Sequence, residues 1–104
     1  MTHPNNSMIA QTLSAFLRDN AWSKLVEVET SHLSASEAVE LVDEIIEECD
    51  QAEVPLRSIG VDVMLMSHFG PPYFEGFYGA FRHIKYKVLV VPDLGLTDKI
   101  VVRR

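Results

Sequence analysis

A chain of 104 residues with a net charge of −6 and a single cysteine excludes several architectures at once. It has the length of one domain and can bury a core without metal or disulfide, and its 47% apolar residues set it apart from disordered chains. It holds no apolar run of about 18 residues, so no membrane span is expected, and Cys49 has no second cysteine to pair with.

The opening Met-Thr-His-Pro-Asn-Asn-Ser lacks the basic-then-apolar pattern of a secretion signal, so the cytoplasm is the expected compartment. Charge is unevenly spread. Residues 1–53 carry eleven acids and two bases, and residues 54–104 carry four acids and seven bases. Separate solvated surfaces explain this simply. Attraction between the halves, within one chain or between copies, is the sharper reading. Net acidity disfavours nucleic acid as a partner, because that binding rests on neutralising phosphates.

In chain order, residues 1–6 read as a disordered tail. Ile9, Leu13, Phe16 and Leu17 follow helical spacing, which predicts a helix over 7–19. Asn6 or Ser7 is its expected cap, and Asn20, which tolerates the left-handed conformation, its expected end. Residues 22–29 alternate as a strand, with Trp22, Lys24, Val26 and Val28 on one side. Ser34 and Glu37 form a capping box, and behind it a helix is predicted over 35–52. Its buried stripe is Ala38, Leu41, Val42, Ile45 and Cys49, with Asp43 on the wet side. Residues 57–66 read as a central strand, within which Asp62 would be a buried carboxylate in need of a partner.

The least ordinary stretch is 64–83. It contains four of the five phenylalanines, two of the three tyrosines, and Pro71-Pro72. Coiled as a short helix over 73–81, it would set Tyr73, Phe77 and Phe81 on one stripe and Phe74 and Tyr78 on another. Beyond it, residues 84–91 and 99–103 read as strands joined by a Pro-Asp-Gly loop, a C-terminal β-hairpin. These elements predict an α+β two-layer sandwich, with two helices packed on a mixed three- to four-stranded sheet, as a single domain over 1–104.

Chemistry is sparse. His3, His32, His68 and His83 are too far apart for zinc-binding spacing, so no metal and no cofactor are expected. Cys49 lies on the buried side of an acidic helix near its C-terminal end, which raises a thiol pKa and leaves it inert. No nucleophile elbow or phosphate-binding glycine loop is present. A general acid–base site would have to draw on His68, Glu75, His83 and Asp62. Tyr73, Phe74, Tyr78, Phe81, Arg82, Lys85 and Lys87 interleave aromatic and basic residues as single-strand binders do, which leaves weak nucleic-acid binding as a third reading.

The ending Tyr86–Val102 resembles the strand–Pro-Asp–strand endings of some bacteriophage structural proteins, over less than a fifth of the chain. The resemblance implies strand, turn and strand, and assigns no functional residue. The leading expectation is a small non-catalytic interaction domain. It would self-associate or dock on another protein chain through Phe69, Tyr73, Phe74, Phe77, Tyr78 and Phe81.

Overall fold

The computed structural model describes residues 4–76 and 79–104. Its elements are α1 (Pro4–Asp19), β1 (Leu25–Glu29), α2 (Ala35–Gln51), β2 (Ser58–Asp62), a 3₁₀ helix (Val63–His68), β3 (Tyr73–Glu75), β4 (Phe81–His83), β5 (Leu89–Asp93) and β6 (Lys99–Arg103). The class is α+β, as expected, but the described residues form six strands rather than three or four, in the order β1-β6-β2-β5-β4-β3. Only β2 and β5 run parallel; the other neighbours are antiparallel.

The register sorts the sheet into two faces. Ile59, Val61, Val90, Ile100 and Val102 point to one side and are fully buried in one cluster with Leu13 and Leu17 of α1 and Leu41 and Ile45 of α2. The opposite face carries Leu25, Glu27 and Glu29 at one end and Leu89 and Val91 at the other. In its middle lies Gly60. The Arg103 guanidinium crosses it to reach Asp93 at 3.4 Å, and a Cβ on Gly60 would stand 2.8 Å from Arg103 Nη1. The glycine lets a side chain lie flat over the central strand.

Helix α2 forms where predicted. Ser34 Oγ accepts the Glu37 N–H (3.2 Å) and Glu37 Oε1 accepts the Ser34 N–H (2.9 Å). At its other end the Val54 N–H reaches the Cys49 carbonyl (2.8 Å) and the Glu53 N–H reaches Asp50 (3.1 Å). This is a Schellman cap, with Glu53 at φ 59° in the place glycine usually takes.

Several expectations are corrected. Residues 4–6 are helix, not tail. Asn6 is fully buried, and its Nδ2 donates to the Glu37 carbonyl (2.8 Å), tying α1 to the start of α2. Asn20 ends α1 through its side chain, donating to the Phe16 carbonyl (2.8 Å), rather than through a left-handed backbone. Phe16 is largely exposed, and Ala10 takes its place on the buried stripe. Trp22 lies outside β1, exposed, with its ring edge-on to Phe16.

The strand over 57–66 stops at Asp62, whose carboxylate accepts the Met64 N–H (2.9 Å) and starts the 3₁₀ helix. Asp62 is therefore a half-buried cap, not an orphan in a strand. The run over 84–91 is broken by a turn, because His83 Nδ1 accepts the N–H groups of Lys85 (3.1 Å) and Tyr86 (3.3 Å) and Lys87 adopts φ 63°. The C-terminal hairpin does not form: β2 lies between β5 and β6. Pro92 falls inside β5, where β4 no longer pairs, so its missing N–H is tolerated.

Arg104 closes the other end of the core. Its Nη1 donates to the carbonyls of Leu17 (2.7 Å) and Asn20 (3.1 Å), capping the negative end of α1. Arg104→Ala should cost about 1.5–3 kcal/mol, as expected for charged hydrogen bonds to a helix end. Glu53→Gly should gain about 1 kcal/mol by relieving the left-handed backbone and removing an acid from the negative end of α2. Denaturant unfolding checks both, and the two shifts should have opposite signs.

Candidate functional site

The aromatic segment is built as two short antiparallel strands, not as a helix. Tyr73 pairs with His83, Phe74 with Arg82 and Glu75 with Phe81, and the Gly76 N–H donates to the Ala80 carbonyl (2.7 Å). Alternation along β3 and β4 then divides the side chains. Tyr73, His83 and Phe81 turn toward the core, and Phe74 and Arg82 toward the helix-free face.

The inner group is tightly assembled. The Tyr73 ring meets Phe69 edge-on at 5.0 Å and His83 edge-on at 5.0 Å, Phe69 stacks on Phe81 at 6.2 Å, and His83 lies 4.9 Å from Tyr86. Tyr73 donates its hydroxyl to Asp43 of α2, so one buried hydrogen bond joins the outer strands to the helix layer. Burial pushes the Asp43 carboxyl above the ordinary carboxylate range, against the opposing pull of that hydrogen bond and of His83. Burial, followed by the carboxylate beside it, pushes the Tyr73 hydroxyl far above the ordinary tyrosine range. Burial pushes His83 below the ordinary imidazole range, with the Asp43 carboxylate acting against it.

The structure brings some of the sequence-derived residues together and separates others. His83 and Glu75 border the same groove, Glu75 from the exposed end of β3. Asp62 and His68 sit at opposite ends of the 3₁₀ helix, away from that groove. His83 Nδ1 is occupied by two backbone donors, so the imidazole serves the turn first. Among the described residues no three His, Cys, Asp or Glu side chains are grouped to share a metal ion. Cys49 is buried on α2 and its thiol is pushed up to about 11 by burial, which suppresses the thiolate. Phe69 and Tyr73 are buried and Phe81 is half-buried, so these three rings fill the core. Phe74 is 60% exposed. Phe77 and Tyr78, like His3, lie outside the described residues.

Asp43 was not singled out by sequence. The signal was on the flank of α2: Val39 and Ile46 bracket Asp43 at helical spacing, and the buried surface extends past the expected stripe to include Ile46.

The outer side of the segment is a groove of about 800 Å³ on the helix-free face. Phe74, Arg82, Ile84, Leu89 and Val91 line it, and Ile84 is 48% exposed. Its character is apolar with a basic rim of Arg82 and Lys87.

The buried hydroxyl has a measurable consequence. The folded protein keeps the Tyr73 proton at alkaline pH while the unfolded chain releases it near 10, so the folded state binds more protons there. Stability should fall above pH 10 by about 1.4 kcal/mol per pH unit for this group. Tyr73→Phe should flatten that slope while costing about 1–3 kcal/mol at neutral pH through the unpaired Asp43. His83 acts oppositely. Its folded pKa lies below the unfolded value near 6.5, so its contribution is present above that pH and lost as pH falls below it. Unfolding curves at a series of pH values, with Tyr73→Phe and His83→Gln beside the parent, separate the two slopes. The chain matches no family model, no curated protein and no solved structure.

Proposed function

We propose that this protein is a non-catalytic interaction domain that docks on protein through the helix-free face of the sheet at β3, β4 and β5, with a second copy of the chain as its first candidate partner. One observation carries the reading: Phe74 and Ile84 expose 60% and 48% of their surface along an apolar groove that no helix among the described residues covers. Contiguous apolar surface of this kind marks contact sites, and aromatic anchors dominate their energetics. Among the described residues of the expected set, Phe74 is the one left for docking, with Ile84, Leu89 and Val91 as its new neighbours, since Phe69, Tyr73 and Phe81 are spent on the core.

Sedimentation over a wide concentration range tests this. The parent should show concentration-dependent mass. Phe74→Asp should weaken association about tenfold or more and leave the unfolding midpoint nearly unchanged, because surface substitutions shift stability by only about 0.5 kcal/mol. A strict monomer, or association that Phe74→Asp and Ile84→Asp both leave intact, would overturn the proposal.

A further inference from the structure

A different surface carries a more specific inference. β1 is an edge strand, paired with β6 on one side and with no strand among the described residues on the other. The Arg104 N–H donates to the Lys24 carbonyl (3.0 Å) and the Thr30 N–H to the Asp98 carbonyl (2.8 Å). Hydrogen-bonded pairs alternate along an antiparallel ladder, so Lys24, Val26, Val28 and Thr30 turn their backbone groups to β6. Glu27 and Glu29 turn theirs outward, a ready template for another strand.

The side chains around that edge are also incomplete. Val26 and Val28 share a face with the fully buried Ile100 and Val102 of β6, yet they are only half-buried. Beside them runs an apolar groove of about 610 Å³ between the edge and α1, lined by Met8, Ile9, Thr12 and Phe16. Met8 is 67% exposed and Phe16 42%. A strand added at β1 would drop alternate side chains into this groove. Its other side chains would lie beside Glu27 and Glu29 on the opposite face. Glu27 stands across from Val101 and Glu29 across from Lys99, yet among the described residues neither acid makes an ion pair.

We propose that the β1 edge binds an extended segment of another protein by strand addition, and that the segment alternates apolar and basic residues. The apolar set fills the groove against α1, and the basic set meets Glu27 and Glu29. A second copy of β1 fits poorly, because full-length antiparallel pairing would put Glu27 opposite its own counterpart, and like charges directly opposite are destabilising.

The probe is the peptide Lys-Val-Lys-Val-Lys-Val-Lys, titrated into the full chain and followed by backbone amide NMR. The Glu27 and Glu29 amides should shift and gain exchange protection. A peptide of the same composition in two blocks, and an alternating Glu-Val peptide, should bind more weakly by about fivefold or more. Glu27→Pro removes an outward N–H without touching the β6 ladder and should abolish binding, whereas Glu27→Gln should only weaken it. Should Glu27→Pro fail to fold, the double variant Glu27→Lys, Glu29→Lys decides, since it should reverse the preference toward the Glu-Val peptide. Equal binding of the block peptide would overturn the proposal, as would shifts confined to the Phe74 face. Glu27 and Glu29 amides already protected in a concentration-dependent oligomer would overturn it in favour of a second copy.

Discussion

Strand β2 is the element on which the rest depends. It pairs in parallel with β5 and antiparallel with β6, and so joins the two ends of the sheet. On its inner side Ile59 and Val61 are fully buried in the cluster that also holds the α2 stripe. Strands buried between neighbours on both edges read as continuous apolar runs, and Ser-Ile-Gly-Val-Asp departs from that at Gly60 and Asp62 for structural reasons. Gly60 makes room for Arg103, and Asp62 stops the strand. The insertion of β2 between β5 and β6 also sets the direction of every other strand. β1 pairs antiparallel with β6 and therefore runs parallel to β2, with α2 as the connection between them.

That insertion explains what was legible in the sequence and what was not. Helix α2 was readable because its signals are local: a capping box four residues long, a stripe at helical spacing, a stop near Pro55. The class followed from the same local patterns. The hairpin between β5 and β6 was misread because its apparent signal, two apolar runs around a turn, is also local, while the competing β2 pairing is set thirty or more residues earlier in the chain. Residues 84–91 carried strand propensity throughout, but a histidine side chain accepting two backbone N–H groups turned residues 84–88 into a loop. Propensity reports how a segment fits a pleated surface, not whether a neighbour captures its backbone first.

The same distinction governs the site. The histidines, glutamate and glycines of the aromatic stretch suggested reactive chemistry when read along the chain. In the fold, His68 stays on the 3₁₀ helix, His83 Nδ1 is taken by two backbone donors, and the perturbed groups prove to be structural partners: Asp43 with Tyr73, and Tyr73 against His83. Asp43 was hidden because its partner lies 30 residues away and its helix offers eight other acidic and polar positions that look alike. A perturbed pKa marks burial next to a specific partner, which structural networks produce as readily as active sites do.

The two edges of the sheet face opposite problems. β3 is three residues long, and so short an edge offers little to pair with. β1 is longer, with its outward backbone groups at Glu27 and Glu29, and proteins keep such edges from pairing with their own copies by placing charge on them. One acid would add less protection than the two present here, which lie on the same face two residues apart. Yet charge of a single sign repels only its like. It leaves the donors and acceptors of the edge open to a strand of opposite charge. The unfilled layer beside Val26 and Val28 would give such a strand apolar surface to bury. Protection against self-pairing and selection of a basic partner are, at this edge, two consequences of the same pair of glutamates.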